Sequence, residues 1–170
     1  TEEDNDCEPK IEVTISNNRV TILDNGIGMN EDVLQNNFWK AGSSGKNNDL
    51  AKKAGVVGTF GIGAMANFGV SNYLKVTSRR YNEDSIIETF ANRDELSITE
   101  ECINFNTRND DSFGYGTLIE VNIDNSINLN KDNAIEYLKP YIQYVQIPIY
   151  INGELISQRK VNSILEISDS

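Results

Sequence analysis

A pair of short strands near the start of the chain constrains the fold more than any other feature of the sequence. Residues 11–16 alternate apolar with polar side chains, beginning with Ile11, Val13 and Ile15. Strict alternation is the pattern of a strand with one buried face. A turn at Asn17-Asn18 and a second strand at 20–23 follow, so the sequence predicts an antiparallel hairpin.

The remaining elements predict a layered fold. Further strands are predicted at 73–77, 85–90, 95–99, 117–123, 147–151 and 154–156. Asn152-Gly153 is a hairpin turn between the last two strands. Helices are predicted after an N-cap at Asn30, at 64–68 and at 130–144, where Pro140 interrupts the last helix. Hairpins without regular βαβ alternation favour an α+β two-layer sandwich, in which helices cover one face of a mixed, mostly antiparallel sheet. The 170 residues suit a single domain, 1–170.

The composition excludes several kinds of site. The chain has no histidine, which removes Ser-His-Asp and Cys-His triads and His-ligated zinc. A net charge of -11 makes direct nucleic-acid binding by this domain unfavourable, because such surfaces need a basic patch. No apolar run approaches the roughly 20 residues of a membrane helix. Cys7 and Cys102 form no CxxC pair and fit a reducing, cytoplasmic compartment, with a single disulfide as the alternative.

The first of three glycine-bearing motifs follows the second predicted strand and reads Asp24-Asn25-Gly26-Ile27-Gly28-Met29. A carboxylate at a strand end can accept a hydrogen bond from an exocyclic amine. Glycine permits a sharp turn and the close approach of a flat ligand, and Met29 offers an apolar surface to a planar base. The alternative is an Asn-Gly hairpin turn that binds nothing.

The second motif, Gly58-Thr59-Phe60-Gly61-Ile62-Gly63-Ala64, stands directly before a predicted helix. Clustered glycines at a helix N-terminus expose N–H groups and the positive end of the helix dipole, which suits phosphate. Ala66 replaces the third glycine of a dinucleotide fingerprint. Gly45-Lys46 precedes Asn47 rather than the Ser or Thr of a Walker A loop. A plain flexible loop is the alternative.

The third motif, Gly114-Tyr115-Gly116-Thr117, opens a predicted strand and by itself indicates only a turn. Between the first two motifs, residues 41–58 are rich in Gly, Ser, Asn and Lys, which is typical of a functional lid.

Taken in this order and spacing, the three motifs resemble the GHKL (Bergerat-fold) ATPases, and most closely the ATPase domain of the ninety-kilodalton heat-shock protein family. The resemblance spans about residues 11–157. It extends through Asn36-Asn37, the strand at 73–79 and Ile147-Pro148-Ile149.

The resemblance implies a site for ATP or ADP with Mg²⁺. Asp24 would bind the adenine amino group, with a water near Thr117, and Gly28 and Met29 would line the base. Asn37 would lie near the sugar and phosphates. The phosphates would be wrapped by Thr59, Phe60, Gly61, Ile62, Gly63 and Ala64, with residues 41–58 as the lid. The full-length protein is expected to be a homodimer that acts on a client protein.

The sequence departs from the family pattern at one point. The family's first helix carries a catalytic Glu and an Asn that helps to hold Mg²⁺, both upstream of the hairpin that begins at Ile11. No helix with E-x-x-x-N spacing stands there, and Glu2, Glu3 and Asn5 lie in a polar tail. We therefore assign no catalytic residue in this chain. The expectation is a domain truncated at its N-terminus, whose full-length protein hydrolyses ATP.

Three functions are consistent with the sequence. The first is an ATPase domain whose lid closure and dimerisation drive a chaperone-like cycle. The second is a DNA-associated ATPase like the MutL or MORC groups, for which 40–46, Lys-Ala-Gly-Ser-Ser-Gly-Lys, is the supporting segment. The third is a non-catalytic ATP-binding interaction module.

Overall fold

A single mixed sheet organises the part of the chain that the computed structural model describes, which is residues 8–39, 67–95 and 103–158. Its eight strands are β1 (Ile11–Ile15), β2 (Arg19–Asp24), β3 (Ser71–Arg79), β4 (Ser85–Asn92), β5 (Asn104–Asn109), β6 (Gly116–Ile123), β7 (Ile149–Ile151) and β8 (Glu154–Leu155). They lie in the order β5-β4-β3-β6-β2-β1-β7-β8. Every neighbouring pair is antiparallel except β1 and β7, which are parallel. The predicted α+β class and mostly antiparallel sheet are confirmed.

Cross-strand registers build the core row by row, because alternate residues of a strand share one face of the sheet. One row runs through Ile15, Val20, Val121, Leu74 and Ala91, which are direct neighbours on β1, β2, β6, β3 and β4. All five side chains belong to the apolar clusters of the core. This row therefore marks the face of the sheet that the helices cover.

The helix after β2 begins where the sequence predicts. Asn30 caps α1 (Glu31–Val33) by accepting a hydrogen bond from the backbone N–H of Val33 at 3.2 Å. The helix then continues as a π-helix from Leu34 to Trp39. Over five residues an α-helix turns about 500°, well past one full turn, and would leave Leu34 and Trp39 on different sides. The wider turn of i→i+5 bonding brings the two side chains toward the same side. Both side chains are buried, so the π form satisfies the core.

The late helix, α2 (Lys131–Ile142), covers the other half of the same face. Its residues Ala134, Ile135, Leu138 and Ile142 pack against the cluster of Ile15, Ile151 and Ile156. Pro140 lies inside the helix rather than interrupting it. The prediction of an interruption is therefore wrong, because the apolar contacts of Leu138 and Ile142, on either side of the proline, outweigh the one backbone bond that it removes.

Two other sequence expectations need correction. The sequence predicts a strand at 95–99, but Glu95 ends a 3₁₀ turn (Arg93–Glu95), and residues 96–99 lie outside the described part of the chain. Among the described residues, the strand at this edge of the sheet is β5, which the sequence did not predict. Sequence patterns miss it because its residues, Asn-Phe-Asn-Thr-Arg-Asn, are mostly polar and only Phe105 packs onto the core. The helix expected at 64–68 is a 3₁₀ turn (Asn67–Gly69) in its described portion.

Among the described residues, the face of the sheet opposite the helices carries charged pairs. Arg19 pairs with Glu120, and Lys75 lies 3.1 Å from Glu88. Within the described ranges, no helix is long and apolar enough to cross a membrane.

The buried hydrogen bond between Trp39 and Thr89 connects the π-helix to the sheet, and its contribution to stability can be measured. Trp39 Nε1 donates to Thr89 Oγ1 at 2.9 Å, and both side chains are buried. We expect Trp39→Phe and Thr89→Val each to lower the free energy of unfolding by about 1–3 kcal/mol, because each leaves a buried polar group unpaired. In urea denaturation the double variant should lose less than the sum of the two. Additive losses would show that the bond contributes nothing.

Asp124 joins the end of β6 to the turn after β4 and gives a pH prediction. Its carboxylate accepts hydrogen bonds from the backbone N–H and the hydroxyl of Ser126, at 2.9 and 2.8 Å, and pairs with Arg93. The two bonds from Ser126, followed by the bond from Arg93, lower the pKa of Asp124 to about 2.

Because the folded pKa lies below the unfolded value of about 3.9, the stabilisation by this carboxylate is complete above that value. It disappears as the pH falls through about 2. Asp124→Asn should unfold more easily at neutral pH and lose less stability between pH 4 and pH 2 than the unmodified protein. Asp84→Asn, at a 97% exposed side chain, is the control. Parallel stability curves for the Asp124 variant and the unmodified protein would refute the assignment.

Candidate functional site

At one end of the helix-covered face, the core row gives way to a row of polar side chains. Asp24 on β2 is the direct neighbour of Thr117 on β6, and Thr117 is the direct neighbour of Ser78 on β3. Each is an even number of residues from an apolar member of the core row, so all three point to the same face as the helices. Ser78 is fully buried, Thr117 is buried and Asp24 is half-buried.

Asp24 is fixed by the turn that follows it. One carboxylate oxygen, Oδ1, accepts the backbone N–H of Gly26 at 2.9 Å. An ionised carboxylate offers about four lone-pair positions, so this bond orients the group and leaves capacity for a donor on a ligand. The side chain is at the end of its strand, as the sequence predicts.

Asn25-Gly26 does not make a hairpin turn. The Asn25 side chain accepts the backbone N–H of Lys10 at 2.7 Å and donates to the carbonyl oxygen of Glu8 at 2.8 Å. It therefore ties the motif to the segment before β1. Since β2 pairs with β1 and β6 and leads into α1, the hairpin alternative for this motif is wrong.

Two glycines let the motif cross the ends of the neighbouring strands at close range. Gly28 has a φ of +64°, and a Cβ added there would lie 2.0 Å from the carbonyl oxygen of Arg79. Gly116 has a φ of +126°, and its added Cβ would lie 2.1 Å from the carbonyl oxygen of Asp24. Both positions demand glycine for conformation and for space. The first and third motifs are thus in direct contact around Asp24.

Ser78 holds this contact together and was not among the predicted site residues. Its hydroxyl accepts the backbone N–H of Met29 at 2.8 Å, donates to the carbonyl oxygen of Gly116 at 2.9 Å and lies 3.0 Å from Thr117 Oγ1. The sequence contained one indication of its role. Alternate residues Leu74, Val76 and Ser78 face inward, and Ser78 is the polar residue in this otherwise apolar series.

The other predicted residues fall into three groups. Met29 packs against the apolar cluster of Leu34, Val76 and Ile87, next to the polar row. Asn37 is exposed on the π-helix, while its neighbour Asn36 donates to Asp32 Oδ1 at 2.7 Å. Residues Thr59, Phe60, Gly61, Ile62, Gly63 and Ala64, and the predicted lid at 41–58, lie outside the described residues.

Aromatic side chains flank the site on the side of β3. The Arg79 guanidinium lies 5.1 Å from the centre of the Tyr115 ring, and Tyr81 packs edge-on against that ring with centroids 5.1 Å apart. The backbone N–H of Tyr81 donates to the carbonyl oxygen of Ile27 at 2.8 Å. These contacts hold the strand ends against the first motif. Among the described side chains, no group of three or more His, Cys, Asp or Glu could hold a metal ion.

Comparison with known proteins places the chain in a family. Residues 5–112 match the family described as histidine kinase-, DNA gyrase B- and HSP90-like ATPases. The chain belongs to this family.

Its relatives narrow the class further. The chain is 33% identical over 169 residues to a chaperone protein HtpG of Borreliella afzelii, a match that covers 94% of this chain and 26% of that protein. It is 32% identical over 151 residues to the HtpG of Borrelia garinii, covering 85% and 24% of the two chains. An endoplasmin homolog of Dictyostelium discoideum is 28% identical over 149 residues, covering 83% and 19%. The chain thus spans about a quarter of the length of the HtpG relatives that it matches.

The close approach at Gly28 predicts a large effect of one methyl group. Gly28→Ala should destabilise the domain by about 1–3 kcal/mol, since the residue is held at positive φ and its Cβ would collide with the carbonyl oxygen of Arg79. Gly114→Ala is the matched control, because its added Cβ meets nothing within 4 Å. Thermal unfolding of both variants measures the difference. Equal melting temperatures would contradict the described path of the motif.

Proposed function

We propose that this domain binds ATP or ADP, with Mg²⁺, and that the adenine amino group lies against Asp24. The observation that carries the proposal is the row of Asp24, Thr117 and Ser78 at the polar end of an otherwise apolar face. A planar base needs such a combination, with apolar contact on its faces and hydrogen-bonding groups at its edge. Met29, at the border between the row and the core, supplies apolar contact.

The chemistry of the carboxylate suits an amino group. Asp24 is half-buried, and a hydrogen bond to an ionised acceptor is about twice as strong as one between neutral groups. Its orientation is set in advance by the N–H of Gly26, so little order has to be imposed when the ligand arrives. A water near Thr117 is proposed to complete the contact with the base.

The phosphates are proposed to bind at residues 59–64, and Asn37 is proposed to lie near the sugar. The glycines of this segment suit the approach of phosphate to backbone N–H groups. Since the chain carries a net charge of -11, repulsion of an anionic nucleotide favours binding together with Mg²⁺, which neutralises phosphate charge. Residues 41–58 are proposed to close over the bound nucleotide as a lid.

For the whole protein we propose an ATP-dependent chaperone. The matches to HtpG proteins and to an endoplasmin homolog support this function, and they do not favour the DNA-associated alternative. Lid closure followed by homodimerisation in the full-length protein, hydrolysis of ATP, action on a client protein and a cytoplasmic location belong to the same proposal. No residue of this chain is assigned a catalytic role.

The contact between Asp24 and the amino group can be tested by replacing one atom. In Asp24→Asn, Oδ1 can still accept the N–H of Gly26, and the new Nδ2 group then turns a donor toward the donor of the ligand. We expect ADP to bind about 10- to 150-fold more weakly, the equivalent of a lost charge-assisted bond. Isothermal titration of the full-length protein with ADP and Mg²⁺ measures the change.

A matched substitution controls for charge. Asp132→Asn, on the exposed side of α2, also removes one negative charge and should leave the affinity unaltered. An Asp24 variant that binds ADP as tightly as this control would remove the carboxylate from the base contact.

A further inference from the structure

The Ser78 hydroxyl has three polar neighbours, and their chemistry determines where its proton lies. The backbone N–H of Met29, at 2.8 Å, can only donate, and the carbonyl oxygen of Gly116, at 2.9 Å, can only accept. The Thr117 hydroxyl, at 3.0 Å, can do either. Ser78 is fully buried, so water is not available to replace a missing bond.

Only one arrangement of protons makes all three contacts attractive. A serine hydroxyl has a single hydrogen, and the carbonyl of Gly116 has none to offer, so the hydrogen of Ser78 must go to the carbonyl oxygen of Gly116. Thr117 must then donate its own hydrogen to Ser78. In the opposite arrangement, Ser78 and Gly116 would face each other with two unprotonated oxygens at 2.9 Å, which is repulsive.

This arrangement fixes the character of Thr117. Because its hydrogen is used toward Ser78, Thr117 Oγ1 has only lone pairs to offer to a ligand. Its neighbour Asp24 is a carboxylate and, when ionised, also only accepts. The two adjacent side chains therefore present acceptors alone at this end of the site.

We propose that Ser78 is a specificity-determining positioning residue: it holds the Thr117 hydroxyl as an acceptor, so that the site accepts 6-aminopurines and rejects 6-oxopurines. The inference rests on the proposed function and extends it from nucleotide binding to the choice of base. Ser78 acts through Thr117 and does not itself touch the ligand.

Adenine and hypoxanthine are a matched pair of purines that differ at this edge. Adenine carries an amino group with two hydrogens, and a 6-oxopurine carries a carbonyl oxygen at the same position. The amino group can donate to Asp24 and to Thr117, either directly or through a water that donates to Thr117 and accepts from the amine. The carbonyl oxygen would face two acceptors.

The test compares ADP with inosine diphosphate, each with Mg²⁺, by isothermal titration of the full-length protein. In Ser78→Ala the Thr117 hydrogen is free to turn toward a carbonyl. We expect the preference for ADP over inosine diphosphate to fall about tenfold, the size of one neutral hydrogen bond. Any loosening of the Met29 loop weakens both nucleotides alike and cancels in the ratio. Ser16→Ala, at an exposed serine, is the matched control and should leave the ratio unaltered.

The Thr117→Val background separates positioning from a merely structural role. This substitution keeps the shape of the side chain and removes the hydroxyl, so Ser78→Ala should have no further effect on the ratio there. A ratio that is unaltered in Ser78→Ala, or that falls equally in both backgrounds, overturns the inference.

Thr117→Val alone also decides the question if Ser78→Ala does not fold. An acceptor-only Thr117 predicts that this variant loses affinity for ADP and not for inosine diphosphate. Equal losses for both nucleotides overturn the inference. A protein that binds neither nucleotide before any substitution overturns the proposed function instead.

Discussion

The register between β2, β6 and β3 is the constraint on which the rest of the molecule depends. Because alternate residues share a face, the pairing that aligns Val20, Val121 and Leu74 in the core also aligns Asp24, Thr117 and Ser78 at the site. A slip of one residue on any of these strands would expose the core and disperse the polar row together. Packing of the apolar rows therefore fixes the strand register that also positions the polar row.

Closure of the site depends on backbone contacts across that register. The first motif crosses the ends of β6 and β3 at distances that Gly28 and Gly116 alone permit. The N–H of Met29 then finds its partner in the Ser78 hydroxyl. One buried serine therefore links the loop that carries Asp24 to both strands beneath it. These hydrogen bonds of Ser78 pair the polar groups at the end of an apolar face. No buried side-chain polar atom among the described residues is without a hydrogen-bond partner.

Local patterns in the sequence predicted much of this arrangement. The hairpin, the Asn30 cap and the class of sheet follow from alternation, side-chain chemistry and the absence of βαβ units. Asp24, Gly28 and Met29 were predicted as site residues from the first motif, and Thr117 was predicted from the family resemblance. The structure brings these four residues into one place. The polar edge strand β5 and the continuation of α2 through Pro140 were not predictable in this way, because tertiary packing rather than local pattern determines both.

The role of Ser78 could not be predicted from the sequence. A serine before two arginines has no motif, and its importance arises only from the register that places it beside Thr117. The π-helix at Leu34–Trp39 has the same kind of origin, since it follows from the need to bury two side chains five residues apart. In both cases the cause is a long-range contact, which no window of neighbouring residues contains.

The central claim is that the polar row of β2, β6 and β3 receives the base of a nucleotide. Titration of the isotopically labelled full-length protein with ADP and Mg²⁺, followed by backbone amide resonances, tests it most directly. The account predicts that the amides of Gly26, Gly28, Met29 and Thr117 shift in a saturable manner, while those of β8, at the far edge of the sheet, stay in place. Saturable shifts that leave these four amides unmoved would contradict it.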